Sequence, residues 1–473
     1  METLQRTANR GSISTGGYEI DNSCVFVDTD RSSTGNGANS HLHFTPSSTG
    51  NRKVGTFSAW VKRSHIDSLD AIFSSGQNDQ HFRFQTNGIN IRDYNESTQL
   101  QTNAIYRDTA AFYHFVMAVD TTQGTAANRL KLYVNGDQVT SFSTETYPTQ
   151  NQDWNFNYTG NKMFIGARRW YNDDVIQGLD GYMADVYWID GQQLAATDFG
   201  EYDDDSGIWK PKAYSGTFGT NGCYLKFDNA SDLGEDSSGN GNDWTKVNIA
   251  AANQSTDTPT NSFCTLNPLV NFKYTTNGIT EGATEFGDDT GGGVGGAFGT
   301  MAVTKGKWYW EVKLTQQNSH YIGISAVDDG DNVTSSSDPH QINSSFRFNI
   351  LGARIEYIDN GTNTNGSLDA FGDFHAVGDI IGIALNMDDN QISIYGNGVL
   401  QTGVANTSIY DAADKMVVPL HATINDECQY NFGGYSAWTP SSAASDENGY
   451  GTFEYAPPSG YYALCTKNLA EYG

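Results

Sequence analysis

Two distant stretches of this chain carry the same hairpin signature, and such a hairpin commits the residues around it to an antiparallel sheet. Leu132-Tyr133-Val134-Asn135-Gly136-Asp137-Gln138-Val139 and Ile392-Ser393-Ile394-Tyr395-Gly396-Asn397-Gly398-Val399-Leu400 each run alternating apolar residues into an Asn-Gly, and apolar residues resume beyond it. Asn-Gly accepts the positive φ that a type I′ turn requires, and the twist of that turn matches the strands it joins. Short alternating runs bounded by turn residues recur at 55–61, 81–84, 113–119 and 163–166, while no run of 12 or more residues sustains a 3.6-residue apolar period. Spacing of this kind argues for sandwiches rather than βαβ units. The expected fold is all-β: two tandem antiparallel β-sandwiches behind a short N-terminal arm.

Composition limits the partners. At 473 residues and 37% hydrophobic, the chain can bury two or three cores of ordinary size. Asp and Glu outnumber Lys and Arg by 55 to 27, a formal charge of −28. Such a surface repels phosphate backbones and anionic membranes, so no nucleic-acid partner is expected. No stretch approaches the roughly 20 apolar residues of a bilayer span, and the opening residues lack the apolar core of a signal peptide. The expectation is a protein made in a cytoplasm, not secreted and without membrane insertion. The five cysteines are odd in number and show no Cys-x-x-Cys spacing, so neither a zinc site nor a disulfide framework is implied, and buried free thiols are expected.

Composition also divides the chain. Residues 1–20 are polar and Gly/Ser/Thr-rich and read as an arm that orders on a partner, with Arg6, Arg10, Ile13 and Tyr18 as anchoring candidates. Residues 21–250 carry the first strand series, 251–261 have linker composition, 262–436 carry the second series, and 437–473 form a tail packing on the second sandwich.

Phe57-Ser58-Ala59-Trp60-Val61, the strand at 113–120, Lys131-Leu132-Tyr133-Val134-Asn135-Gly136, Met163-Phe164-Ile165-Gly166-Ala167 and the run at 179–188 follow one another in an order that resembles the laminin-G and concanavalin-like lectin family. The resemblance implies a two-sheet jelly roll holding a ligand, commonly a sugar, on rim loops. Gly306-Lys307-Trp308-Tyr309-Trp310-Glu311-Val312, Tyr321-Ile322-Gly323-Ile324-Ser325, the run at 378–388 with the hairpin at 391–398, Pro419-Leu420 and Asn431-Phe432-Gly433-Gly434 resemble the SPRY family. That resemblance implies a second sandwich, binding proteins through rim loops without catalysis. The Gly-rich insertion at 288–296 departs from the SPRY pattern and reads as a rim loop or a close-packed turn.

Catalytic signatures are sparse. Glycoside hydrolysis needs two carboxylates on one face about 5 to 10 Å apart. Asp180, Asp185 and Asp190 are spaced five apart, so neighbours fall on opposite faces of an unbulged strand. No His accompanies a Gly-x-Ser-x-Gly elbow, and the chain is expected not to be an enzyme. No cofactor is expected beyond calcium, for which Asp203, Asp204 and Asp205, and Asp328 and Asp331, offer hard oxygen ligands in solvated acidic loops. Arg168 and Arg169 lead into Trp170, Tyr171, Asn172, Asp173 and Asp174. Planar rings stack on sugar faces while amide and carboxylate groups bond hydroxyls, so this loop is the ligand-site candidate; a rim loop packed against a neighbouring subunit would have the same composition.

The opening residues 4–23, leading straight into a lectin-like strand, resemble the N-termini of fibre or spike proteins of tailed bacteriophages, marine ones especially. That resemblance implies a virion location, on the tail rather than the capsid. It implies docking on other virion proteins and host surface glycan or protein as the target, with a homo-oligomer, as in trimeric fibres, supplying avidity. A capsid or tail decoration protein and a glycan hydrolase are the alternatives, the second disfavoured by the missing carboxylate pair.

Overall fold

The computed structural model describes residues 17–28, 39–66, 69–76, 80–93, 98–169, 175–272, 278–287, 294–317, 319–327, 345–359, 362–365, 372, 374–409, 415–424 and 427–473. The chain divides into two compact units, Met1–Thr260 and Asn261–Gly473.

Among the described residues of the first unit, two eight-stranded antiparallel sheets face each other across one apolar core. The first has Tyr113–Asp120, Val54–Arg63, Gly181–Asp190 and Ser23–Phe26 side by side at its centre; the second has Gly88–Asp93, Gln80–Gln85, Ala71–Ser75 and Met163–Ile165. Alternation decides which face is buried in the core: Phe57, Ala59 and Val61 point inward from one sheet, Phe82, Phe84, Ile89 and Ile91 from the other. Phe57 stacks on Phe73 across the gap, with ring centroids 4.7 Å apart, and meets Phe82 edge-on at 6.1 Å. Each fully buried ring of this kind stabilises by about 2 kcal/mol or more.

Both expected hairpins form. Asn135 and Gly136 take φ of 48° and 90°, and Asn397 and Gly398 take 48° and 79°. Val134 pairs with Asp137 across the first turn, and Gly396 with Val399 across the second. Each turn asparagine also clamps a neighbouring strand. The His114 N–H donates to Asn135 Oδ1 at 2.7 Å while the Asn135 N–H donates to the His114 carbonyl at 2.9 Å. Ile380 and Asn397 repeat that exchange at 2.9 and 2.8 Å.

The long strand Gly181–Asp190 is not regular. Its register against Val54–Arg63 shifts between Ala184 and Tyr187, and Asp185 sits in the bulge with φ of 51°. The parity rule for an unbulged strand therefore does not place its carboxylates. The Ser/Thr-rich stretch before residue 261 is ordered. Gln254–Ser255 pairs with Ser23–Phe26, Lys62 and Asp257 form an ion pair at 2.7 Å with both side chains 1% exposed, and Thr260 Oγ1 accepts from the Ile20 N–H at 3.1 Å.

In the second unit, a seven-stranded and a nine-stranded sheet enclose a core built on Trp308, Trp310, Ile322, Ile324, Phe346, Phe348, Ile381 and Ile383, counting described residues only. Lys307–Leu314 lies between Ile380–Asn386 and Glu427–Asn431, and Tyr462–Ala463 adds to it as a parallel strand. The chain then closes with the helix Thr466–Tyr472, whose Leu469 joins the core. Seven residues are too few to show a helical period in the sequence. Part of the Gly-rich insertion forms a strand, with Gly295 opposite Thr423 and Gly296 opposite Ala422; residues 288–293 lie outside the described residues. All five cysteines are buried thiols. No helix among the described residues is long and apolar enough to cross a membrane.

Candidate binding site

The five loop residues Trp170 to Asp174 lie outside the described residues, but their supports do not. Arg168–Arg169 pairs with Val175–Ile176 to carry them. Beneath, Arg83 Nη1 and Arg168 Nη1 both donate to Gln177 Oε1, at 2.6 and 2.9 Å, and all three side chains are buried. His81 lies beside them with Nε2 2.9 Å from Asn90 Oδ1. Burial, followed by the charges of Arg83 and Arg168, holds that imidazole well below its ordinary range and keeps it neutral. An acidic chain thus concentrates cations at the base of this hairpin.

Of the anchoring candidates, Arg6, Arg10 and Ile13 lie outside the described residues, as do Asp328 and Asp331 from the calcium set. Tyr18 is placed on the outer side of the first sheet. Its hydroxyl donates to Asp185 Oδ1 at 3.0 Å and lies 2.6 Å from the Tyr224 hydroxyl. Tyr224 and Tyr187 also donate to Asp185, at 2.5 and 3.2 Å, and their rings stack at 4.3 Å. Burial pushes the Asp185 carboxyl up to about 6, against the opposing effect of these three hydroxyls. Asp180 accepts from Ser64 Oγ, and Asp190 from the Asn51 and Asn221 amides and Asn157 Nδ2. Each of these three carboxylates has its own partners in the fold. Asp203 closes its own turn, as its Oδ1 accepts from Ser206 N–H at 3.0 Å and from Ser206 Oγ at 2.9 Å, while Asp204 and Asp205 are exposed.

A concave site exists where the sequence gave no motif. Arg52, Asp93 and residues 149–153 and 155 line an open cleft of about 410 Å³ at the rim of the first sandwich. Asp93 ends the strand Gly88–Asp93 and is fixed at the bottom, its Oδ2 accepting from Gln80 Nε2 at 2.7 Å and Gln152 Nε2 at 2.9 Å. Asn151 turns the loop with φ of 63°, and its N–H donates to the Thr121 carbonyl at 2.8 Å. Arg52 donates Nε–H to the Trp154 carbonyl at 2.8 Å and lies 4.6 Å over the Tyr158 ring, with Asp153 3.7 Å from its Nη1. Amide, guanidinium and carboxylate groups so arranged can exchange hydrogen bonds with a ligand rich in hydroxyls, and Tyr158, 40% exposed, adds a planar face nearby. The only sequence signal was the amide-rich run Thr149-Gln150-Asn151-Gln152-Asp153, which reads equally well as a solvated loop.

Comparison with known proteins matches residues 36–196 to the Concanavalin A-like lectin/glucanases superfamily and residues 307–435 to the SPRY domain. No curated protein matches the chain. Among solved structures, the SPRY domain of human HERC1 is 16% identical, covering 35% of this chain and 96% of its own, with a TM-score of 0.24. The heptameric SAP-like pentraxin of Limulus polyphemus is 16% identical, covering 38% and 80%, with a TM-score of 0.29. A putative carbohydrate binding protein from Bacteroides ovatus is 12% identical, covering 48% and 58%, with a TM-score of 0.30. The chain therefore carries a domain of the concanavalin A-like lectin/glucanase superfamily followed by a SPRY domain, both of them β-sandwiches.

Proposed function

We propose that the protein is a binding protein rather than an enzyme, and that it serves as an attachment fibre of a tailed-phage virion. In this reading the first sandwich takes a host surface glycan in its rim cleft, and the polar N-terminal arm docks on other virion proteins. The observation that carries the glycan reading is the cleft itself, an opening of about 410 Å³ lined by Arg52, Asp93 and a loop of amide and carboxylate side chains. Sugar hydroxyls satisfy such a lining without the apolar anchors a lipid or peptide would need. A single shallow polar contact of this size binds weakly, so the reading includes a homo-oligomer, a trimer by analogy with other fibres, that multiplies the contact. The virion location rests on the resemblance of residues 4–23 to fibre N-termini.

Two measurements test the two halves. The purified chain is screened against immobilised host-type glycans, alongside the double variant Gln150→Ala, Asp153→Ala. Both side chains lie on the loop surface, and their loss is expected to weaken binding by at least about tenfold with folding intact. Unchanged affinity in the variant removes the cleft from the reading. Antibody labelling of intact particles, with adsorption scored in parallel, tests the location: label at the tail with blocked adsorption supports a fibre, and label over the capsid with adsorption intact replaces it with a decoration protein.

A further inference from the structure

We propose that the core of the second sandwich is a binding site for one soft d10 metal ion, of the Zn2+ and Cu+ class, with His320, His421 and Cys428 as its ligands. The three residues come from three strands. His320 lies on Ser319–Ala326 and His421 on Val417–Ile424, adjacent strands of the seven-stranded sheet, while Cys428 lies on Glu427–Asn431 of the facing sheet. In register, His421 is opposite Ile322 and His320 opposite Thr423, so the two histidines are diagonal neighbours across the pair. Each is at most 1% exposed. One ligand atom from each residue lies within 4.8 Å of the other two.

Their geometry is close to that of a coordination sphere. Metal bonds of about 2.0 Å to nitrogen and 2.3 Å to sulfur at a tetrahedral angle set N and S about 3.5 Å apart. Cys428 Sγ stands 3.6 Å from His421 Nε2 and 3.4 Å from its Nδ1. One nitrogen of each ring has an oxygen beside it: His421 Nδ1 lies 3.0 Å from the Tyr430 hydroxyl, and His320 Nε2 lies 3.3 Å from the Gln316 carbonyl. A ring N–H bonded to an outer oxygen fixes the tautomer and orients the second nitrogen as a donor of its lone pair, which is how metal-bound imidazoles are commonly held. With Nε2–H donating to Gln316, His320 presents Nδ1; with Nδ1–H donating to Tyr430, His421 presents Nε2.

The surroundings select the ion class. Phe286 lies against His421 with ring centroids 5.0 Å apart, and both side chains are fully buried. Two imidazoles and a thiolate favour borderline or soft cations over calcium or magnesium. On binding, the Cys428 thiol loses its proton to solvent and the thiolate cancels one unit of the ion's charge. A monovalent ion then gives a neutral complex in this apolar core, whereas a divalent one retains a single positive charge. A site this deep loads as the chain folds.

The test uses the full chain purified from cells grown with added zinc or, separately, added copper, with metal counted by mass spectrometry after gel filtration. The expected result is about one equivalent per chain from at least one medium, falling below about a tenth in Cys428→Ser and His320→Gln but retained in Cys264→Ser, a buried thiol outside the cluster. The medium that loads it identifies the ion. Should the ligand variants fail to fold, X-ray absorption on the wild type decides, with one sulfur at about 2.3 Å and two imidazole nitrogens at about 2.0 Å expected. Wild-type protein below about a tenth of an equivalent from both media, or bound metal without a sulfur neighbour, overturns the proposal.

Discussion

The two Asn-Gly hairpins share one turn geometry and differ in what closes over them. A Cβ on Gly136 would stand 2.5 Å from the Trp209 ring, and a Cβ on Gly398 would stand 2.5 Å from the Tyr455 ring. Trp209 belongs to an aromatic stack: its indole N–H donates to His114 Nδ1 at 3.0 Å, its ring lies over His114 at 5.9 Å, and Tyr202 meets it edge-on at 4.9 Å. Tyr455 instead arrives with a stretch of backbone. Its N–H and that of Glu454 donate to the buried carboxylate of Glu311, at 2.8 and 2.9 Å. One roof is held by side-chain packing and the other by backbone hydrogen bonds to a buried carboxyl group. A local turn code is thus compatible with either, and the distant segment decides the energetics.

The largest expected difference follows directly. Trp209→Ala removes a buried ring and leaves the His114 nitrogen without its donor, and costs the first unit about 3 kcal/mol. Tyr455→Ala removes a half-buried ring while the backbone bonds to Glu311 persist, and costs the second unit about 1 kcal/mol. Calorimetry on the full chain, following each unit's transition, separates them; equal losses would mean that packing, not backbone, holds the second roof too.

Glu311 gives the next contrast through pH. Burial pushes its carboxyl up from 4.5 to about 7, against the opposing backbone bonds from Glu454 and Tyr455. Between those values the folded chain holds a proton the unfolded chain has lost, so stability of the second unit falls as pH rises through that window, by up to about 3 kcal/mol, and levels off above it. Asp185 in the first unit has the same sign in a lower window, 3.8 to about 6. Buried imidazoles such as His114, held down to about 3, slope the other way. The difference between wild type and Glu311→Gln, or Asp185→Asn, isolates each carboxylate, and a difference that stays flat with pH would show that its ionisation is not linked to folding.

These contrasts also mark where the sequence was legible. Alternation and Asn-Gly are local signals, so the strands at 54–63, 113–120, 307–314 and 380–386 and both turns could be read directly, and the two sandwiches with them. Trp209 over Gly136, or Glu454 and Tyr455 at Glu311, join segments far apart in sequence and leave no periodic trace. The bulge at Asp185 defeated a parity argument because one extra residue reverses every face beyond it. The rim cleft was missed because a run of Gln, Asn and Asp has the composition of any solvated loop, and only the fold brings it over Asp93. His320, His421 and Cys428 follow no ligand spacing, since two sheets and three strands bring them together.

A smaller effect tests the turn asparagines themselves. Asn135→Ala and Asn397→Ala each lose the Oδ1 acceptor and place a Cβ-bearing residue less tolerant of left-handed backbone at φ of 48°, costing about 1 to 2 kcal/mol in their respective units. Substitution by Gly keeps the turn and loses only the acceptor, at about 1 kcal/mol. Similar losses in both units are expected, because the strand clamps match; a large asymmetry would show that the roofs, not the clamps, fix the turns.

The smallest effect lies in the roof of the first hairpin, which is itself a hairpin. Gly200–Tyr202 pairs with Trp209–Pro211, and Asp203 closes the turn between them, its N–H donating to the Ile208 carbonyl at 2.8 Å. Bonds from Ser206, then Lys210 at 3.2 Å, hold the Asp203 carboxyl down to about 2. A depressed carboxylate stabilises the folded state above its unfolded value and loses that contribution as pH falls toward 2, so Asp203→Ala is expected to lower the first unit's transition slightly at neutral pH and not at all in strong acid. Calcium discriminates between two uses of the same carboxylate. Because Ser206 and Lys210 already engage it, millimolar calcium is expected to leave the first transition where it is. A calcium-dependent rise that disappears in Asp203→Ala would make the loop an ion site, and would mean that the roof over Gly136, unlike the one over Gly398, is set by a ligand as well as by packing.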